Sequence, residues 1–433
     1  MSETLTRQRW LVVVGAILIQ LALGAIYAWS VFTPLLKEEP YNFTATQTQI
    51  IFSAGLATFA VVMVLAGRWM AKVGPRTVAL AGGLVLGVGY VLAGLFGSTF
   101  PTQFLFIGIV GGAGIGLAYV TPIAVGMRWY PDKKGLITGL AVAGFGFGAT
   151  IWVKLAGSWG NLLETFQVFG LPGVQSVFFL YGVIFAIMVC VGAMFMVYPP
   201  EGWTPEGWTP SDAIAQPGQV ALANFEPSEM LATVQYWMIL LVFIFSAMAG
   251  LMTIGIIKLF GIDALMASGM DQAVASATAG TAMAVFYALA NGIGRIVWGW
   301  VSDKIGWKHA VVLMTALQGL TMLVFFWMGQ TQYLLYLGAA IIGFNFGGNF
   351  ALFPVSTADL FGAKNVGKNY GYVFLAYGIA GIIGPIMAGR FGDSVAEQGV
   401  EAWLPAFLIS GVLCLVAAGI TWMIKRPRPP AAA

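Results

Sequence analysis

The chain has 433 residues, 59% of them hydrophobic and 9% charged, with a formal net charge of +3. A soluble domain carries about 25% charged residues, so this composition excludes a soluble domain and reads as a polytopic membrane protein. A spanning helix needs about 20 predominantly apolar residues. Runs of that kind fall at 10–34, 46–66, 76–97, 102–126, 136–158, 174–197, 233–257, 273–299, 309–328, 333–356, 370–389 and 402–424.

The first run, which contains Tyr27, exceeds a signal-peptide core and is followed at once by further spans, so it is expected to be retained. Basic residues gather in alternate loops: Arg7 and Arg9 before the first span, Arg68, Lys72 and Arg76 after the second, Arg128, Lys133 and Lys134 after the fourth. Lys304 and Lys308 follow the eighth, Lys364 and Lys368 the tenth, and Lys425, Arg426 and Arg428 close the chain. The positive-inside rule then places both termini in the cytoplasm, with the protein in an inner (plasma) membrane.

Small residues recur within the spans as G-G-A-G-I-G (Gly111–Gly116), A-G-F-G-F-G-A (Ala143–Ala149) and F-G-G-N-F (Phe346–Phe350). In lipid such rows let helix backbones approach closely. Lys154 is expected to snorkel at the end of the fifth span. Cys190 and Cys414 both lie within spans and read as packing residues rather than a disulfide. Between the sixth and seventh spans the chain breaks at about Tyr198–Thr233 and carries a tandem E-G-W-T-P at Glu201–Pro205 and Glu206–Pro210. Pro and Gly at that density prevent a regular helix. The segment reads as a linker, its Trp203 and Trp208 expected at the membrane surface.

A shift of 232 residues superposes the two halves. It pairs Gly67 with Gly299, Lys72 with Lys304, Gly74 with Gly306, Gly116 with Gly348, Pro122 with Pro354 and Gly146 with Gly378. One offset across several segments implies two six-helix bundles of like topology, related by an axis along the membrane normal. The expected division is 1–197 for the first bundle, 198–232 for the loop and 233–433 for the second.

The stretch Asn291–Gly306 reads N-G-I-G-R-I-V-W-G-W-V-S-D-K-I-G and sets Arg295 inside an apolar run. A guanidinium keeps its charge, so a buried one needs an anion, carbonyls or water, and an intramembrane cation is a functional candidate. Counted at 1.5 Å per residue, Arg295 lies roughly 12 Å inside Asp303, Tyr119 and Tyr377 each roughly 13 Å inside their flanking basic residues, and Phe145 about 16 Å from Lys134. Helices four, five, eight and eleven thus meet at one level, where a two-bundle fold keeps its site. Phe145 and Tyr377 are partners under the 232-residue shift and are expected to face one another. Asn291 stands one turn from Arg295 on the same face, either holding the guanidinium, reading a substrate hydroxyl or bonding a neighbouring helix.

The loops G-R-W-M-A-K-V-G-P-R (Gly67–Arg76) and G-W-V-S-D-K-I-G-W-K (Gly299–Lys308) resemble the duplicated loop signature of the major facilitator superfamily. Ala71 stands where that signature has Asp, which the second copy keeps as Asp303. More of the chain, notably R-W-Y-P-D-K-K-G-L-I-T-G (Arg128–Gly139), A-L-F-P (Ala351–Pro354), N-Y-G (Asn369–Gly371) and Gly294–Gly306, resembles the oxalate/formate antiporter family, a neighbour of the proton-linked monocarboxylate (lactate) transporters. The resemblance implies an all-α fold of twelve transmembrane helices in two pseudo-symmetric six-helix bundles. It implies too that Arg295 matches the helix-eight Arg which, with a helix-eleven Lys, holds a dicarboxylate in the oxalate exchanger. The Lys position falls on Tyr377. Related monocarboxylate carriers often have an Asp one turn from the Arg, where Asn291 stands here.

One fixed cation balances one carboxylate, and a second unbalanced charge in a low-dielectric site costs several kcal/mol. Arg295 with Asn291, Tyr119, Tyr377 and Tyr27, walled by Phe145, Phe346, Phe350 and Phe374, is therefore expected to bind a small monocarboxylate of the lactate or pyruvate type. The only His, His309, lies at the end of the ninth span, so symport is expected with the proton accompanying or neutralising the carboxylate. The alternative is an oxalate/formate-type anion antiporter. The sequence has no metal cluster, nucleophile elbow or cofactor loop, so a transporter is expected rather than an enzyme, without cofactor or metal. Its partners are the anion, the proton and the bilayer, with no nucleic acid, and the chain is expected to act as a monomer.

Overall fold

The computed structural model describes residues 2–130, 134–200, 203–205, 224–362 and 365–428. Twelve helices among them are long and apolar enough to cross a membrane. These are α1 (Gln8–Lys37), α2 (Ala45–Val73), α3 (Pro75–Phe96), α4 (Phe100–Trp129), α5 (Gly139–Ala156) and α6 (Gly173–Ala193) in one bundle. The other holds α7 (Val234–Ala267), α8 (Gln272–Ile305), α9 (Trp307–Met328), α10 (Gln332–Phe361), α11 (Lys368–Asp393) and α12 (Val400–Met423). All twelve expected runs are present as helices. Several outrun their apolar stretch: α7 continues ten residues past 257, where Asp263 on the extension accepts from the Trp403 indole at 2.9 Å.

Local chemistry sets the helix ends. Thr44 and Gln47 form a reciprocal capping box that starts α2, and Asp271 accepts from the amides of Ala273 and Val274 to start α8. Gly74 (φ 84°) and Gly306 (φ 81°) end α2 and α8 in a conformation that disfavours any side chain, and each is followed at once by the next helix. They are partners under the 232-residue shift, so the repeat seen in the sequence is also a repeat of backbone geometry.

The bundles meet along two helix pairs that the same symmetry exchanges, α2 with α11 and α5 with α8. At the face carrying the basic loops, the basic face, Arg68 of α2 donates to the Tyr372 hydroxyl of α11. At the opposite face the Asp393 carboxylate ending α11 accepts from the Ala45 amide at 2.8 Å and from the Thr46 amide and hydroxyl, all at the start of α2. A carboxylate at a helix N-terminus meets unpaired amides and the positive end of the helix dipole.

Trp203 lies half-buried on the protein, 4.9 Å from the Trp129 ring and 5.9 Å from the Arg9 guanidinium. The adjoining ring and cation both favour this indole position. Trp208 and the second E-G-W-T-P copy lie outside the described residues, as do Lys133 and Lys364. Farther on, Phe225 is buried: its amide donates to the Phe361 carbonyl, while its own carbonyl accepts from Asn365 and Asn369 at 3.0 Å each. Both cysteines are free, and Lys154 reaches Ser158 at the end of α5.

Candidate functional site

Three helices depart from regular α geometry around the centre of the molecule. In α1 a 3-10 turn at Gly24–Ala28 carries Tyr27, and in α8 a π stretch at Ala282–Tyr287 leads into Asn291. A second π stretch, Phe104–Gly111, lies in α4 before Tyr119. Such breaks rotate the residues that follow and are frequent at functional sites.

Asn291 and Arg295 sit where α8 is gripped on both sides. On the α5 side, a Cβ added to Gly146 would stand 2.7 Å from the Gly292 nitrogen and 2.8 Å from Asn291 Oδ1. On the α10 side, one added to Gly347 would stand 2.2 Å from the Asn291 carbonyl oxygen. The small-residue rows of α5 and α10 thus serve close helix approach, and they fix the backbone that aims Arg295.

Asn291 and Arg295 are each 0% exposed. Arg295 Nε donates to Asn291 Oδ1 at 2.9 Å and Nη1 to the Val142 carbonyl at 3.0 Å, the latter across the bundle interface. The guanidinium carbon lies 4.0 Å from the Phe350 ring centroid and 5.4 Å from that of Phe145. Of the readings open for Asn291, its oxygen takes the first and holds the guanidinium. Arg295 Nη2 and Asn291 Nδ2 remain as two buried donors without an acceptor among the described residues. The hydroxyls of Tyr27 and Tyr119 also lie close enough to interact with the guanidinium, both electrostatically and by hydrogen bonding. Buried donors without an acceptor are rare in folded proteins, and each costs about 1–3 kcal/mol, more beside a charge.

The structure brings the remaining expected residues into one cage. The Tyr27 and Tyr377 hydroxyls bond at 2.8 Å. Tyr27 stands edge-on to Phe145 at 4.8 Å and near Phe346 at 5.8 Å. Phe350 touches both Phe346 and Tyr377, and Phe374 touches Tyr377 and Tyr119. Phe145 and Tyr377 share the cage through intermediates, Tyr27 and Phe59. Phe59 of α2 was not anticipated; it is 0% exposed and packs on Tyr119, Phe145, Phe374 and Tyr377. The depth count held the clue, since Phe59 precedes Arg68 by nine residues, as Tyr119 precedes Arg128. Tyr287, bonded to the Gly250 carbonyl at 3.0 Å, and Tyr370 complete the aromatic shell.

The two signature loops latch differently. With Ala71 in place of an acid, α2 reaches α11 through Arg68 and Tyr372 instead. In the second half Asp359 gathers the charges, accepting from the Trp307 indole at 2.8 Å and from Arg426 at 3.0 Å. His309 sits on the exposed end of α9 against the Ile305 carbonyl, away from the cage.

The family model described as Major Facilitator Superfamily matches residues 17–278 and 267–433. The chain belongs to the major facilitator superfamily. An uncharacterized transporter of this superfamily, YhjX of Escherichia coli (strain K12), is 29% identical over 380 residues, 87% of this chain and 86% of that one. The oxalate:formate antiporter of Oxalobacter formigenes is 26% identical over 434 residues, 99% and 94% of the two chains. Monocarboxylate transporter 13 of Rattus norvegicus is 24% identical over 417 residues, 95% and 87%. A crystal structure of a bacterial homolog of the human lysosomal transporter Spinster, inward-facing and unoccupied, superposes with a TM-score of 0.64 at 16% identity, covering 96% of each chain, and supports the fold alone. Within the major facilitator fold the Arg295 cage lies between the two bundles, contributed to by α1, α2, α4 and α5 from one and α8, α10 and α11 from the other.

Proposed function

We propose that the chain is a secondary active transporter of small monocarboxylates of the lactate or pyruvate type, working by alternating access with a proton as co-substrate. One observation carries the reading: Arg295 is buried, the groups around it are neutral, and Asn291 Nδ2 beside it is a donor without an acceptor among the described residues. A buried cation without a counter-charge is costly, and a carboxylate accepting from both side chains supplies that charge. The rings of Phe145, Phe346, Phe350 and Phe374 suit a short apolar tail. Tyr377 is uncharged, so the second carboxylate of oxalate has no fixed partner. With no acid bonded to Arg295 among the described residues, the proton accompanies or neutralises the carboxylate and leaves Arg295 satisfied in either access state.

The basic loops fit a protein of the bacterial inner membrane with both termini cytoplasmic, acting as a monomer that moves its substrate unaltered. The test is uptake of labelled lactate into proteoliposomes by Arg295→Lys and Arg295→Gln, with insertion verified. Both are expected to lose uptake, the Gln variant entirely, and wild-type uptake by both would refute the anion hook. Lactate addition to energised vesicles is expected to carry protons inward; lactate uptake without proton movement sinks symport. The full-length similarity to an oxalate:formate antiporter favours a second reading, anion exchange. Robust counterflow of labelled oxalate would establish it over the first.

A further inference from the structure

Beneath the cage, at the basic face, a cleft of about 240 Å³ separates α2 and α4 of one bundle from α11 of the other. Its roof is the cage itself: Val120 follows Tyr119, Met63 stands one turn from Phe59, and Gly371 lies three residues before Phe374. Phe374, packed on Phe59 at 5.2 Å and on Tyr119 at 5.6 Å, is the cage ring that follows Gly371 of the lining on α11. Two cations face each other across it, Arg68 on α2 and Lys368 on α11, both exposed.

Each has a weak internal partner. Arg68 donates to the Tyr372 hydroxyl, with its guanidinium 5.7 Å from that ring. Lys368 lies 3.5 Å from Glu226, whose other oxygen accepts from Asn365 at 3.0 Å. Among the described residues, two positive charges against one negative leave the cleft with a net single positive charge, matching that of the Arg295 cage.

We propose that this cleft is an outer carboxylate subsite, in which Arg68 and Lys368 take the substrate anion before it passes Phe374 to Arg295. The proposal rests on the monocarboxylate reading above. A carboxylate is a stronger acceptor for a guanidinium than a phenol, since it carries the opposite charge and can accept two parallel N–H bonds where the phenol oxygen accepts one. The arriving anion therefore replaces Tyr372 on Arg68 and frees α2 from α11 at this face. Binding at the subsite and opening of the cleft are then one event. The anion also moves between two sites of equal charge, and neither leaves it unbalanced.

The experiment measures lactate transport from the basic face, in inverted vesicles, for wild type, Arg68→Gln, Lys368→Gln and Tyr372→Phe at several ionic strengths, with uptake from the opposite face as control. A subsite requires the two ends of one bond to behave differently. Arg68→Gln and Lys368→Gln raise KM from the basic face about two- to fivefold, the range of a partly exposed ion pair, and weaken its salt dependence. Tyr372→Phe leaves KM unchanged or lower, because the anion no longer competes with the phenol. KM from the opposite face stays as in wild type for all three. If Arg68→Gln and Tyr372→Phe shift KM alike, or if KM and its salt dependence match wild type in both cation variants, the subsite is overturned while the Arg295 reading stands. Absence of monocarboxylate transport by the wild type would remove both.

Discussion

At the residue scale the decisive feature is a charge count. Among the described residues Arg295 is the one fixed charge in the cage, and Tyr377 occupies the position where the resemblance to the oxalate exchanger puts a Lys. Tyr377→Lys sets a second cation beside Tyr27 and Phe350. It is expected to gain uptake of oxalate and to lose affinity for lactate, read from competition between labelled lactate and unlabelled oxalate. No gain of oxalate binding by a correctly inserted variant would show that fixed charge does not select the substrate. Asn291→Asp acts in the opposite sense. A carboxylate 2.9 Å from Arg295 Nε pairs with the cation and is held ionised by it, so it competes with substrate at neutral pH. Uptake is expected to fall at pH 7 and to recover as pH drops and that carboxyl protonates, giving a profile steeper toward acid than the wild type. A variant whose pH profile overlays the wild type would contradict this.

At the element scale, glycines and one carboxylate set the helix contacts. Gly347→Ala drives a methyl onto the Asn291 carbonyl, which is backbone and has little room to yield. The expected cost is about 1–3 kcal/mol, seen as a lower unfolding temperature in detergent with some loss of uptake. Asp393→Ala removes the acceptor for two amides and a hydroxyl at the start of α2. With Cys190 and Cys414 replaced, a cysteine at position 49, where Gln49 is buried and bonds the Gly255 carbonyl across the bundles, is expected to label faster with an impermeant maleimide in the Asp393→Ala background. Equal labelling rates would mean that Asp393 does not hold this face shut.

These contacts also mark what the sequence could tell. Arg295 was legible because a charge contrasts with its apolar run, and Gly74 and Gly306 because they recur at one offset. The Val142 carbonyl was not, since a backbone acceptor has no residue signature. Phe59 was concealed as one apolar ring among many. Asp393 ends its helix like any acidic loop residue, and its partner lies at the other end of the chain.

At the scale of the whole molecule, α2 and α11 are joined at both ends simultaneously, by Arg68 with Tyr372 at the basic face and by Asp393 with Ala45 and Thr46 at the other. The cage between them is closed on both sides, and alternating access requires these joints to open in turn. Beside each joint α11 rides on α2 through a glycine: a Cβ on Gly371 would lie 3.7 Å from Val64 Cα, and one on Gly389 would lie 3.0 Å from Thr46 Cα. Backbones this close are the natural places to try an inter-helix disulfide. In the background lacking native cysteines, oxidised V64C/G371C is expected to lock the basic face and oxidised T46C/G389C the opposite one. Each lock alone stops net transport, and reduction restores it, because a carrier needs both faces to open. The locks differ in where substrate enters. The first leaves lactate binding reachable from the opposite face, and the second leaves it reachable from the basic face, as measured with oriented vesicles and labelled substrate. If either oxidised pair transports at the wild-type rate, α2 and α11 do not rock apart during the cycle, and access to Arg295 must open along the α5–α8 seam instead.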